Sequence, residues 1–219
     1  MNQIISQHGW AFDSSLWQEL KKKYEENNWI WQDNERGYFN KTLVSPKWIN
    51  NNSFKRKNII IIHSLGIHLI DKNTLINASH IVFINSFYKF IPDNKDKKLV
   101  IRSLERMKKK LNNQEIKLML KEFYKNSFFP NEINLNYQKT ISYKFDNANI
   151  FNLKSDFNKL SINEKPPLLV SKDCNVLIIK SINDRILNSN SSKSFIELMS
   201  KTLTKKPRII EIENQGHII

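Results

Sequence analysis

A serine, an aspartate and a histidine each follow a short apolar segment of the chain: Ser64, Asp184 and His217. A serine hydroxyl becomes a strong nucleophile only when a histidine accepts its proton, and a carboxylate must orient that histidine. Each residue alone has a common structural role, such as a helix N-cap for the serine or a turn for the aspartate. Because all three occur together, we predict a triad in which Ser64 is the nucleophile, His217 the base and Asp184 the orienting carboxylate.

Two backbone N–H groups near these residues could stabilise a negatively charged oxygen. An apolar run leads directly into Ser64, so the chain should turn sharply there into a helix and present the N–H of Leu65 beside the hydroxyl. A second N–H is expected from Trp10, which follows Gly9 in the loop after the first apolar run. The indole of Trp10 would also form a wall of the substrate pocket. The alternative is that Trp10 belongs to the core and Gly9 only lets the chain turn.

Glycine is scarce in this chain, with four residues among 219. Average usage would give about fifteen, so the remaining glycines should mark turns or close backbone contacts that a Cβ would prevent. Gly9, Gly66 and Gly216 each adjoin a predicted site residue or lie within two residues of one. Their positions support a tightly folded backbone around the predicted triad.

Short apolar runs alternate with helical patterns, which is typical of a parallel sheet with helices on both faces. Several runs are apolar at every position, as expected for strands that are buried on both sides. The sequence therefore predicts the α/β class, with a mostly parallel central sheet of about six strands in a single domain over residues 1–219. The predicted strands are residues 3–7, 29–32, 58–63, 80–86, 175–180 and 208–212.

The middle of the chain interrupts this alternation and predicts a helical lid inserted at about residues 88–165. Between residues 92 and 130, apolar side chains recur at helical spacing with no strand pattern between them. Residues 131–166 are rich in asparagine, and we expect them to form an irregular return to the sheet.

The composition limits the class of protein. No run of about eighteen apolar residues occurs, so no membrane span is expected. The first ten residues lack the pattern of a signal peptide and Cys174 is the only cysteine, which together predict a cytoplasmic protein.

Four separated glycines cannot form a glycine-rich phosphate loop, and no histidine pair has metal-ligand spacing supported by cysteines or carboxylates. We therefore expect neither a nucleotide cofactor nor a metal.

Positive charge is concentrated in the predicted lid. The net charge of the chain is +14, and residues 94–128 contain eleven Lys or Arg but four Asp or Glu. Such a segment could attract an acidic partner through long-range electrostatics. The alternative is a solvated helix face whose lysine content reflects AT-rich codon usage, because Asn and Ile are also abundant.

Taken in order along the chain, these residues resemble the α/β-hydrolase superfamily. The Gly-Trp and Ser-Leu-Gly segments look most like the biotin-pathway carboxylesterases, which hydrolyse the methyl ester of pimeloyl-acyl carrier protein. One position departs from the pattern: Ile62 stands where the turn before the serine commonly has glycine, so close packing there must be achieved in another way. The similarity is carried by His8-Gly9-Trp10, Glu35-Arg36-Gly37-Tyr38, His63-Ser64-Leu65-Gly66, Asn183-Asp184 and Gly216-His217.

The resemblance implies a monomeric serine carboxylesterase that forms an acyl-enzyme and leaves the carrier thioester intact. It implies no cofactor or metal, and an acyl carrier protein as partner rather than nucleic acid or a membrane. The acyl pocket would include Trp10, Phe123 and Phe128, although the two phenylalanines could instead only pack the lid against the sheet. The acidic carrier protein would bind basic lid residues: Arg102, Arg106, Lys109, Lys110 and Lys117.

Two other functions are compatible with the same residues, because fold and triad do not determine the substrate. One is a different reaction on the same triad, in a general esterase, a thioesterase or a carbon–carbon hydrolase. The other is a catalytically degenerate hydrolase that serves as a basic binding module for nucleic acid or an acidic protein.

Overall fold

Six strands form one parallel sheet in this computed structural model, which describes residues 1–39, 41–49, 56–112, 115–133, 135–161 and 170–219. The order across the sheet is β2-β1-β3-β4-β5-β6, and every neighbouring pair is parallel. The predicted α/β class is confirmed. The strands are β1 (Gln3–Gln7), β2 (Ile30–Asn34), β3 (Asn58–His63), β4 (His80–Ile84), β5 (Asn175–Ser181) and β6 (Arg208–Ile212).

The strand ends differ from the predicted ends by at most two residues. Strand β2 is displaced toward the C-terminus, and β4 ends at Ile84 instead of residue 86. The second difference has a local cause, because Asn85 has a φ of 44° and cannot continue an extended strand.

Alternate residues of the strands bury opposite faces of the sheet. On one face Ile60 packs in a cluster with Phe195 of the helix that follows β5. On the other face Ile61 packs in a cluster with Trp17, which lies just before the first α-helix. Helices therefore cover both faces, as the apolar strands require. These flanking helices are α1 (Gln18–Glu25), α2 (Lys72–Ile76) and α7 (Ser189–Thr202).

The chain between β4 and β5 forms a helical lid. The buried apolar residues of its helices belong to one cluster that also contains Trp10 and Leu65, so the lid core continues into the predicted site. None of the helices in the described part of the chain is both long and apolar enough to cross a membrane. The lid helices are α3 (Lys97–Asn112), α4 (Ile116–Phe128), α5 (Leu135–Asp146) and α6 (Ile150–Phe157), followed by a 3₁₀ helix at Asn158–Leu160.

The expectation of an irregular segment over residues 131–166 is wrong where α5 and α6 form. Ile141 and Phe145 in α5 are buried at i, i+4 spacing, which is the pattern of a helix packed along one side. Asparagines stand at the helix ends instead of breaking the helices: the side chain of Asn149 caps α6 by accepting a hydrogen bond from the N–H of Asn152. The predicted end of the insertion at residue 165 lies outside the described residues.

Ion pairs connect the lid to the sheet. Arg36, which follows β2, places Nε and Nη2 at 2.8 and 2.9 Å from the carboxylate of Asp156 in α6. The Tyr38 hydroxyl donates to the same carboxylate at 2.7 Å. Burial raises the pKa of the Tyr38 hydroxyl well above its usual value, and the negative charge of Asp156 raises it further. A second ion pair joins Lys144 of α5 to Asp13 at 2.8 Å.

Candidate active site

Ser64 lies in the turn that directly follows β3. Its φ of 53° is in the left-handed region, a conformation that costs a non-glycine residue about 1–3 kcal/mol and is common at functional sites. The chain turns there from β3 into a short 3₁₀ helix, Ser64–His68. Ile62, at the position where glycine is common, is fully buried in the cluster that includes Ile60. The turn therefore forms with a large side chain at this position.

His217 and Asp184 reach Ser64 from loops that follow the last two strands. His217 Nε2 lies 2.8 Å from Ser64 Oγ, and His217 Nδ1 lies 2.7 Å from Asp184 Oδ2. The other carboxylate oxygen of Asp184 accepts hydrogen bonds from the backbone N–H groups of Ile186 and Leu187. A carboxylate held on both oxygens orients Nδ1–H toward itself and leaves Nε2 free to accept the serine proton. The structure thus brings the three predicted triad residues into one continuous chain of hydrogen bonds.

The loop that carries His217 packs against the lid as well as the sheet. A Cβ added to Gly216 would lie 2.0 Å from the Phe129 carbonyl oxygen and 2.6 Å from that of Ser127, so only glycine fits between the loop and the end of α4. The N–H of Ile218 donates to the Ser127 carbonyl at 3.1 Å. The position of the histidine is therefore coupled to the position of α4.

The predicted oxyanion loop lies directly against Ser64. A Cβ added to Gly9 would lie 2.8 Å from Ser64 Cβ, so the backbone leading to Trp10 can approach the serine only with glycine at this position. The Trp10 indole donates to the Leu153 carbonyl of α6 at 2.8 Å, and its ring centroid lies 5.1 Å from that of Phe123. Trp10 and Leu65 both line the same cavity as Ser64. Trp10 is also 3% exposed and belongs to the core, so the two interpretations of this residue are compatible.

A cavity of about 1040 Å³ opens above Ser64 between the sheet and the lid. This volume is slightly above the usual range for a small-molecule site, about 300–1,000 Å³. Phe123 lines the cavity, as predicted for an acyl-pocket residue. Phe128 does not line it and instead stacks on Tyr124, with ring planes 29° apart. The side chain of Phe128 points into the lid core because it lies one helical turn beyond Tyr124.

The basic lid residues predicted to bind a carrier protein differ in their surroundings. Arg106 and Lys109 of α3 line the cavity and form no ion pair among the described residues. Lys110 also lines it but pairs with Glu122 at 3.1 Å. Arg102 is exposed on α3 without lining the cavity, whereas Lys117 pairs with Asp146 of α5. Among the five predicted residues, Arg106 and Lys109 are therefore the two that bring unpaired positive charge to the cavity.

Asn85 belongs to the site although the sequence interpretation gave it no role. It is 2% exposed, lines the cavity, and donates from Nδ2 to the His217 carbonyl at 2.9 Å. An asparagine placed directly after a buried strand, at the sheet edge where the site forms, is the signal that could have identified it.

No group of three or more His, Cys, Asp or Glu side chains that could hold a metal ion occurs in the described ranges. Cys174 is buried away from this cavity, and burial raises the pKa of its thiol to about 11.

No family model matches the sequence, and no curated protein matches it. The similarities lie in solved structures. An esterase from Exiguobacterium antarcticum is 17% identical with a TM-score of 0.68, over 99% of this chain and 85% of the esterase. A bromoperoxidase from Bacillus anthracis is 14% identical with a TM-score of 0.75, over 99% of this chain and 85% of that protein.

A laboratory-evolved variant of potato epoxide hydrolase is similar to the same extent. It is 14% identical with a TM-score of 0.69, and the match covers 99% of this chain and 87% of the hydrolase. All three are α/β-hydrolase structures. At these identities the likeness defines the fold: the chain has the α/β-hydrolase fold.

Proposed function

We propose that the protein is a serine hydrolase that cleaves carboxylic esters through an acyl-enzyme. The observation that carries this proposal is the chain of contacts from Asp184 through His217 to Ser64, with distances of 2.7 and 2.8 Å. A triad in this geometry serves nucleophilic acyl transfer, and its serine lies in the strained turn typical of a nucleophile.

The reaction proceeds in two halves. Ser64 Oγ attacks the ester carbonyl carbon while His217 Nε2 accepts the hydroxyl proton, and the carbonyl oxygen becomes negatively charged. The N–H groups of Trp10 and Leu65 stabilise this oxygen. When the tetrahedral intermediate collapses, the alcohol leaves with the proton from His217, and the acyl group remains on Ser64. Water then attacks the acyl-enzyme by the same route and releases the carboxylic acid.

Within this class, we propose the methyl ester of pimeloyl-acyl carrier protein as substrate, with methanol and the free acid as products. Three features support this choice: the Gly9-Trp10 and Ser64-Leu65-Gly66 segments, a cavity of about 1040 Å³ with many apolar lining residues, and the unpaired Arg106 and Lys109 at that cavity. The thioester to the carrier stays intact because the methyl ester, at the far end of the acyl chain, is the bond at Ser64.

The general activity is tested by steady-state hydrolysis of p-nitrophenyl butyrate. Ser64→Ala should lower kcat by about 10⁴-fold or more, because triad members act as a unit. The matched control is Ser86→Ala, which removes another buried serine hydroxyl, one that donates to the backbone carbonyls of Ile62 and Ile84. The control should keep its activity. Equal activity of Ser64→Ala and wild type would exclude the serine mechanism.

The specific substrate is tested by comparing kcat/KM for methyl pimeloyl-acyl carrier protein with that for free methyl pimelate. The proposal expects a large preference for the carrier-bound ester. It also expects Arg106→Glu to reduce that preference, whereas Lys121→Glu on an exposed position of α4 should not. Indifference to the carrier would leave a general esterase as the better description.

A further inference from the structure

We infer that Asn85 and His63 are positioning residues that hold the catalytic histidine through its own backbone carbonyl. This inference rests on the proposed function, because it concerns the residues that place the base of that reaction. Among the described residues, neither side chain forms a hydrogen bond with the Ser64 hydroxyl or with Nε2 of His217. Both side chains contact the histidine loop, residues 213–219.

Asn85 connects the histidine loop to the strand that leads to Asp184. Its Nδ2 group lies 2.9 Å from the His217 carbonyl oxygen, 3.3 Å from that of Gly216 and 3.0 Å from Ser181 Oγ. Its Oδ1 atom accepts the Ser181 N–H at 2.8 Å. The side chain amide thus uses both its donor and its acceptor sides in a buried position. The φ of 44° suits asparagine, which tolerates the left-handed region better than most residues.

His63 gives the same carbonyl a second donor, from the strand that carries the nucleophile. Its Nε2 atom lies 2.9 Å from the His217 carbonyl oxygen, so Nε2 must carry the proton. Its Nδ1 atom is buried and has no hydrogen-bond partner among the described residues. Burial lowers the pKa of His63 well below its usual value, and the nearby His217 lowers it further, so the ring is neutral. A neutral ring with a single N–H is suited to donating to a carbonyl.

These two donors fix the base because the histidine loop has no regular secondary structure of its own. His63, at the end of β3, fixes the His217 carbonyl relative to the adjacent Ser64. Asn85, just after β4, fixes the same carbonyl relative to β5, the strand that leads to Asp184. Fixing that carbonyl restricts the Cα and the starting direction of the imidazole. A shift of about 1 Å at a catalytic group can reduce the rate by about 10²-fold.

The test measures the rate of covalent labelling by a fluorophosphonate, together with kcat and KM for p-nitrophenyl butyrate. Asn85→Asp keeps the shape and the tolerance for positive φ but replaces the donor to the His217 carbonyl with an acceptor. Rates are measured on the high-pH plateau of the pH–rate profile, where His217 is neutral in both proteins. The added carboxylate then cannot change the rate by changing the protonation of His217. We expect labelling and kcat to fall by about 10²-fold with KM nearly unchanged.

The His63 donor is tested by a pair of variants that keeps the inference falsifiable if Asn85→Asp fails to fold. His63→Gln retains an N–H near the position of Nε2, and His63→Leu retains bulk without a donor. The glutamine variant should recover most of the labelling rate lost in the leucine variant. Ile178→Val, in the sheet core, controls for general destabilisation and should lower the melting temperature without slowing labelling.

The outcomes separate this inference from the proposed function. A folded wild-type protein that is not labelled contradicts the proposed function and, with it, the inference. A labelled wild type whose Asn85→Asp and His63→Leu variants react at the wild-type rate contradicts the inference alone. Slow labelling in both variants, with recovery in His63→Gln, supports it.

Discussion

At the residue scale, Ser64 combines a reactive position with an unfavourable backbone conformation. A φ of 53° is left-handed, where a Cβ crowds the following carbonyl and costs an ordinary residue about 1–3 kcal/mol. The surrounding structure maintains this conformation, because β3 ends one residue earlier and the 3₁₀ helix begins at the serine itself. The benefit is a side chain lifted from the sheet edge into the cavity. A strained backbone at this position is what the proposed role of Ser64 as nucleophile requires.

If the Ser64 backbone is strained, glycine at this position should relieve the strain while abolishing activity. Ser64→Gly should be more stable than Ser64→Ala by about 1 kcal/mol, because glycine adopts positive φ freely. Neither variant should hydrolyse esters or react with a fluorophosphonate. The free energy of unfolding is measured by urea denaturation at neutral pH. Alanine and glycine variants of equal stability would show that the turn is not strained.

At the element scale, the lid is fastened to the sheet by a buried charge cluster on α6. Asp156 is 1% exposed and is contacted by Arg36 and Tyr38, both from the segment after β2. Trp10 provides a second attachment, because its indole donates to the Leu153 carbonyl of the same helix. Helix α6 thus joins the oxyanion loop, the segment after β2 and the rest of the lid. We expect its displacement to disturb Trp10 along with the lid.

Asp156→Asn tests this role of α6. The change leaves the Arg36 guanidinium partly buried without its negative partner, which typically costs about 3–5 kcal/mol. We expect a loss near the lower end of that range, since Arg36 is about one-fifth exposed. Unfolding in urea measures the effect. Lys89→Gln, which breaks the exposed pair between Lys89 and Asp93, is the control and should change the free energy of unfolding by less than about 1 kcal/mol.

Elements and triad differ in how far the sequence could predict them. The strands were recognisable because runs such as β3 are apolar on both faces. Ser64 directly follows β3, whereas Asp184 and His217 lie in the loops that follow β5 and β6. Helices α5 and α6 were missed because asparagine content concealed their apolar stripes. The role of Asn85 and the pairing of Lys117 with Asp146 depend on contacts between residues far apart in sequence. Neither composition nor periodicity contains that information.

At the scale of the whole molecule, histidines that lose contact with water on folding should make the fold sensitive to acid. Burial lowers the pKa of His68 to about 4 and lowers that of His63 well below 6.5. Between pH 6.5 and 4, the unfolded chain therefore binds protons that the folded chain does not. The free energy of unfolding should decrease as pH falls through this window, by up to about 1.4 kcal/mol per pH unit for each histidine.

A histidine variant isolates this contribution from that of the carboxylates. His68→Gln removes one titrating group, so its free energy of unfolding should fall less steeply than that of wild type between pH 6.5 and 5. Urea denaturation at several pH values measures both slopes. Identical slopes would mean that His68 is protonated in the folded state at a normal pKa.

The net charge of +14 predicts a salt effect that depends on the substrate. If Arg106 and Lys109 attract an acidic carrier protein, the KM for carrier-bound ester should rise with sodium chloride, because screening shortens the Debye length from about 8 Å at 0.15 M to about 3 Å at 1 M. The KM for p-nitrophenyl butyrate should stay constant. Initial rates at a series of salt concentrations measure both values, and a parallel rise would indicate a general effect on the enzyme.

The most direct test of the central claim is the site of fluorophosphonate labelling. The protein is treated with the probe, digested, and the modified residue is located by mass spectrometry. If Ser64 is activated by His217 and Asp184, one adduct should form on Ser64, and Ser64→Ala and His217→Ala should remain unlabelled while folded. Absence of labelling in the folded wild-type protein, or labelling that persists in Ser64→Ala, would contradict the assignment of Ser64 as the nucleophile.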